Sequence, residues 1–139
     1  MLALKTIDAH AGGGPIRLVV EGMPAPRGKT MDARSAWMAR HADHLRQVLV
    51  LEPRGHRDLT GAMLTEPVTQ AAHAGLIFMN ATGYPPISGH GVIAATTIAL
   101  ERGLLMPGGD GRTVTFDTSS GVVTARATMD QTGQRVECV

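Results

Sequence analysis

The sequence predicts a mixed α/β (α+β) fold in which a barrel-like sheet wraps a central apolar helix, and three observations carry that expectation. Segments near both ends alternate apolar and polar residues with a period of two, as half-buried strands do. Residues Asp32 to Val50 carry the spacing of an amphipathic surface helix. A second helical stretch, from about Gly91 to Arg102, is apolar on nearly every side until Glu101, which suits a helix enclosed by strands. The 139 residues are one-domain size, so residues 1–139 are read as a single domain.

The elements follow in chain order. Leu2 to Asp8 alternate weakly, His10-Ala-Gly-Gly-Gly-Pro15 forces a bend, and Ile16 to Val20 reads as a returning strand. Thr30 or Asp32 can cap the helix that runs to Val50, with Trp37, Leu45, Val48 and Leu49 on its dry face and Arg34, Arg40, Asp43 and Arg46 on its wet one. Pro53 ends that helix, and Thr60 to Thr65 form a strand that stops before Pro67. Ala74 to Met79 is a continuous apolar run, read as a buried strand in which Phe78 is core. After the apolar helix, Thr113–Thr118 and Gly121–Thr128 alternate as strands. Gln134–Val139 begins another strand, whose edge is expected to lack a partner.

Composition removes several function classes. A net charge of +1 with interleaved signs offers no stripe to a phosphate backbone, and one Trp, one Tyr and two Phe offer no base-stacking platform. Nucleic-acid partners are not expected. A single cysteine, Cys138, fits a reducing compartment, and no apolar run approaches the roughly 20 residues that span a bilayer. The expectation is a cytoplasmic protein with no membrane partner. His41, His44 and His73 lack metal-ligand spacing with acidic residues or cysteine, so no metal is expected. Gly12 to Gly14 are not a dinucleotide fingerprint, since no G-x-G-x-x-G opens a helix there.

Chemistry concentrates where Ser88-Gly-His-Gly91 precedes the apolar helix. The first amides of a helix have no intrahelical acceptor, and the aligned peptide dipoles add partial positive charge at that end. Gly89, His90 and Gly91 therefore read as a cradle for a carboxylate, with phosphate second. Ser88 sits at the N-cap; taken locally, serine there is most often only a cap, and a histidine at a helix start is most often only a polar residue. The apolar character of the helix shifts that balance, since an enclosed helix would open its tip into an interior cleft.

Together, LEPRGHRDLTGAMLTEPV, GLIFMNATGY, SGHGVIAATTIALERGL and VTFDTSSGVVTARA resemble the N-terminal half of the proline racemase family, over Thr6 to Val139. That family includes hydroxyproline epimerases and trans-3-hydroxyproline dehydratases. The resemblance implies a diaminopimelate-epimerase-like fold of two similar halves, each a strand barrel around a central helix. The substrate, a proline or hydroxyproline, would be held between them by helix N-termini. It also implies proton movement at Cα without pyridoxal phosphate, metal or other cofactor.

The family's Cys-Gly-His-Gly falls on Ser88, Gly89, His90 and Gly91, so Ser88 stands at the catalytic position and the other three at the carboxylate. The partner cysteine is expected in a C-terminal half outside these 139 residues. Ala11 and Gly14 occupy positions where the family commonly carries Thr and Glu.

A thiol suits Cα deprotonation better than an unassisted hydroxyl. Ser88 thus tilts the expectation from epimerisation, which needs a competent group on each face, toward dehydration of a 3-hydroxyproline. Epimerisation of 4-hydroxyproline and an inactive carboxylate-binding half stay open, as does oligomeric state, with a homodimer among the expected arrangements. Asp8 and His10 resemble the family's opening block, though shaping the glycine bend is at least as good a role for them. Tyr84 and Ile87 are expected beside Ser88, His56 in a solvated turn, and Cys138 in a structural role.

Overall fold

Gly12 and Gly13, with φ of 58° and 87°, turn the chain between β1 (Lys5–Ala11) and β2 (Gly14–Glu21), as a two-residue hairpin loop with left-handed central residues requires. The computed structural model describes residues 1–139. From β2 the chain passes through α1 (Met31–His41) and α2 (Asp43–Val50) into β3 (Thr60–Thr65), which lies parallel to β2. Next come β4 (Ala74–Met79), antiparallel to β3, then α3 (Gly89–Glu101) and β5 (Thr113–Thr118), parallel to β4. The antiparallel β6 (Gly121–Arg126) completes a six-stranded sheet whose spatial order is its chain order. A separate ribbon pairs β7 (Thr128–Met129) with β8 (Val136–Cys138).

The two parallel connections decide the layers. Both advance in the same direction across the sheet, but β2 and β4 point oppositely, so right-handed crossovers must put their helices on opposite faces. The packing follows: Leu18, Ala62, Leu76, Phe78, Val114 and Phe116 join α3 in one core. Val19, Met63, Ile77 and Met79, their alternate neighbours, join α1 and α2 in another. All six residues of β4 are buried, which explains why that strand reads as an unbroken apolar run.

Helix α3 touches β1, β2, β3, β6 and β8, so the sheet curves about it from both edges. The enclosure is incomplete. Ile93 is 39% exposed, which corrects the expectation of a helix walled in on every side. No helix is long and apolar enough to cross a membrane.

The stretch read as one helix from Asp32 to Val50 is two. Thr30 caps α1 by accepting from the Ala33 N–H at 3.1 Å, and Ala42, at φ −138° and ψ 18°, belongs to neither helix. The bend lets α1 deliver Met31 and Met38, and α2 deliver Leu45, Leu49 and Val50, to a core that one straight rod would cross along a single line. Two residues change sides as a result. Val48 is 43% exposed, and Arg46 is only 8% exposed.

A buried guanidinium needs a partner for nearly every N–H. Arg46 binds both Asp43 carboxylate oxygens, at 2.7 and 3.0 Å, and donates to the carbonyls of Asn80 and Ala81 at 2.8 and 3.1 Å. It thereby ties α2 to the turn that leads from β4 toward α3. Tyr84 lies beneath this pair, its ring centroid 5.9 Å from the guanidinium carbon, and its buried hydroxyl makes no hydrogen bond. Burial first, and the Asp43 charge second, push that hydroxyl up to about 12. The Arg46 hydrogen bonds hold the Asp43 carboxyl down at about 2.

A depressed carboxyl contributes stability that is fully present above its ordinary value of 3.8 and is lost as pH falls through about 2. Denaturant titrations should therefore show the stability gap between the native chain and Asp43→Asn closing over that acid interval. A gap constant from neutral pH to pH 2 would contradict the pairing.

Candidate functional site at the start of the third helix

Strand directions bring distant residues to one place. The C-terminal end of β4 lies beside the N-terminal end of β3, through Met79 and Gly61, and that end of β3 lies beside the start of β2, through Thr60 and Ile16. The chain leaving β4 therefore begins α3 next to the β1–β2 turn and the first residue of β3. The Asn80 side chain shapes that exit, accepting from the N–H groups of Thr82 and Gly83, both at 2.9 Å.

Ser88 caps α3 as expected. Its backbone is extended, its carbonyl accepts from the Val92 N–H at 2.9 Å, and its hydroxyl oxygen accepts from the Gly91 N–H at 3.2 Å. The N–H groups of Gly89 and His90 have no acceptor in the chain. A Cβ at Gly89 would meet nothing within 4 Å, and Gly89 is exposed, so the chain leaves the start of the helix uncovered at that residue. Gly91 faces inward, where a Cβ would stand 2.6 Å from Cε1 of Phe78. The first turn of α3 thus rests directly on the fully buried Phe78 ring.

The His90 ring is held on three sides. Its Nδ1 is 3.3 Å from the Ser88 hydroxyl, and its Nε2 is 3.2 Å from the Thr60 hydroxyl. At Gly14 a Cβ would come within 3.1 Å of the ring's Cδ2, so the hairpin passes close to the ring and a larger residue there would require the ring to give by a few tenths of an ångström. Thr60 escaped the sequence reading because nothing in LTGAM marks it, and it lies 30 residues from His90.

Other candidates sit elsewhere. Asp8 forms a two-pronged pair with Arg17 at 2.9 and 3.0 Å, and Arg17 also donates to the Leu49 and Arg54 carbonyls. Asp8 therefore anchors the hairpin to the end of α2. His10 is exposed, and its Nδ1 accepts weakly from the Gly13 N–H at 3.4 Å. Tyr84 packs under α2 with Arg46 and Ile87 is 41% exposed, so the pocket expected from these two beside Ser88 does not form within the chain. His56 accepts from the Asp58 N–H in its own turn, and His73 from the Thr115 N–H.

The cleft also differs from expectation. Gly89 is exposed, so the helix tip opens at the surface of this chain and not into its interior. A groove of about 450 Å³ reaches the tip through His90 and runs along Ile93 and Thr97 to Cys138, which is exposed. A larger groove of about 520 Å³, between Met23, Met63 and Leu105, lies at the opposite end of α3 and shares no residue with the tip. The arrangement at Ser88 can receive an anion on two bare amides and present a hydroxyl and an imidazole to it.

A family model described as proline racemase matches residues 6–139. The chain is 39% identical over 134 residues to a protein of Bacillus thuringiensis subsp. konkukian named trans-3-hydroxy-L-proline dehydratase, a match covering 96% of this chain and 40% of that protein. It is 46% identical over 101 residues to a Burkholderia multivorans protein named 3-hydroxyproline 2-epimerase, covering 73% of this chain and 30% of the relative. Among solved structures, a hydroxyproline epimerase from Agrobacterium vitis with bound trans-4-hydroxy-L-proline superposes with a TM-score of 0.82. It is 27% identical, and the match covers 92% of this chain and 38% of that one. The chain thus spans less than half the length of each of these proteins.

Proposed function

Because the chain belongs to the proline racemase family, we propose that it is the N-terminal half of a cofactor-independent enzyme that removes water from trans-3-hydroxy-L-proline. The observation that carries the reading is the oxygen of Ser88 standing at the helix cap beside the two unpaired amides. In this reading the Gly89 and His90 N–H groups bind the substrate carboxylate. Removing the Cα proton sends negative charge into that carboxylate, where fixed donors in a closed site stabilise it.

A base from the second half takes the proton. The electron pair of the Cα–H bond becomes the Cα=C3 double bond as the C3–O bond breaks, and Ser88 positions or protonates the departing hydroxyl, which leaves as water. A hydroxyl suits that donor task and is a poor base. Gly91 keeps the first turn seated on Phe78, so that the amides keep their aim. The single cysteine supports a reducing, cytoplasmic setting.

The second reading is epimerisation at Cα, with Ser88 relaying a proton at one face with help from His90. It is favoured by the name of the Burkholderia relative and by the 3.3 Å contact between the two side chains.

Calorimetry with pyrrole-2-carboxylate, a planar mimic of the deprotonated ring, should give no binding to the chain alone and binding once a complementary C-terminal half is supplied. With both halves and trans-3-hydroxy-L-proline in deuterated water, loss of water identifies the dehydratase. An epimer labelled at Cα identifies the second reading. Binding without either product would leave only a carboxylate-binding module.

A further inference from the structure

We infer that Thr60 is a positioning residue that fixes the proton of His90 on Nδ1 and thereby turns Ser88 into a pure hydrogen-bond donor toward the ligand. The inference rests on the dehydratase reading for its functional consequence, but not for its structural content.

The argument is a count of donors and acceptors. Thr60 is 9% exposed, and its hydroxyl has one hydrogen-bonding neighbour, Nε2 of His90 at 3.2 Å. A buried hydroxyl gives up its proton to an acceptor when one is within reach, because leaving a buried donor unpaired forfeits its hydration without compensation. Nε2 must then be bare, and a neutral imidazole with a bare Nε2 carries its hydrogen on Nδ1. That hydrogen points at the Ser88 oxygen, 3.3 Å away.

The same oxygen already accepts from the Gly91 N–H at 3.2 Å. Two donors fill the two lone pairs of Ser88, and its own proton is left without a partner in the chain. The site opens toward the bare amides of Gly89 and His90, so that proton is directed where the ligand binds. The ring is held at both nitrogens, by Ser88 on one side and Thr60 on the other, and it lies near Gly14, where an added Cβ would come within 3.1 Å of its Cδ2.

The chemical consequence is a choice between roles. A serine whose lone pairs are both engaged is unable to take a proton from Cα, yet it is well placed to donate one to a leaving hydroxyl. The opposite tautomer, with hydrogen on Nε2, would make Nδ1 an acceptor for the Ser88 hydroxyl and convert Ser88 into an activated base. Thr60 is thus a determinant of reaction type acting through His90, without touching substrate.

The test needs neither substrate nor the second half. Long-range proton–nitrogen correlation spectra of the native 139-residue chain, at about pH 8.5 where an ordinary imidazole is neutral, should show a pyrrole-type shift for His90 Nδ1 and a pyridine-type shift for Nε2. Thr60→Val, which keeps the shape and removes the hydroxyl, should move both nitrogens toward averaged values, and Thr60→Ser should restore the native pair of shifts. Backbone amide spectra of each variant establish that the fold is kept. A native chain with hydrogen on Nε2 overturns the inference, as does a Val variant whose His90 shifts are unchanged. A dehydratase assay that fails while the Nδ1 tautomer is observed sinks the proposed reaction and not this one.

Discussion

Ser88→Ala, assembled with a complementary second half, is expected to lower the rate of water loss from trans-3-hydroxy-L-proline by roughly 100- to 10,000-fold, the usual worth of a positioned proton donor. The substitution also removes the cap of α3, which costs about 1 kcal/mol of stability, so activity alone would not separate catalysis from folding. Ser88→Asn separates them. Its side-chain carbonyl can accept from the Gly91 N–H, and it has no hydroxyl proton. Stability measured by denaturant should therefore fall for the alanine variant and stay near native for asparagine, while turnover falls in both. Ser88→Cys makes the converse point: a thiol at a helix N-terminus can act as base, so deuterium-labelled epimer should appear beside the dehydrated product. Native turnover by the alanine variant would remove Ser88 from the mechanism.

Why this residue could be singled out from sequence, and others could not, follows from the range of the interactions. The Ser88 cap is local: a good N-cap residue, three residues before the amide it binds, ahead of an apolar helical run. The strands β3, β4 and β5 fall where alternation or an unbroken apolar run puts them, because their burial depends on a pattern within six residues. The break at Ala42 has no glycine or proline to announce it; the two-sided core dictates it. Arg46 sits on what helical spacing marks as the wet face, and its partners Asn80 and Ala81 are 34 and 35 residues away. The hold of Thr60 on His90 is of the same kind, set by the register of β2, β3 and β4. Local chemistry was legible, then, and the contacts that orient it depend on the topology.

Phe78→Ala is expected to be the most destabilising single change in the core, by about 3–5 kcal/mol, since it empties the centre of a fully buried cluster beneath α3. Gly91→Ala should also destabilise, by about 1–3 kcal/mol, because the new methyl would stand 2.6 Å from the Phe78 ring. The two effects cannot be additive. Once the ring is gone, the methyl enters the vacated volume and the helix gains up to about 1 kcal/mol from replacing glycine by alanine. In the Phe78→Ala background, Gly91→Ala should therefore be neutral or stabilising, with a coupling energy of more than about 1 kcal/mol. Urea midpoints of the four chains at unchanged slope measure it. The coupling also has a functional reading, because Gly91 lies one residue beyond the unpaired amides of Gly89 and His90. If the turn is seated by this ring, Gly91→Ala should weaken pyrrole-2-carboxylate binding by the assembled protein, and Phe78→Leu, which shortens the ring to a branched chain, should restore part of it. Strict additivity of the two stabilities would mean that α3 shifts freely on its bed, and the geometry of the anion cradle would then owe nothing to Phe78.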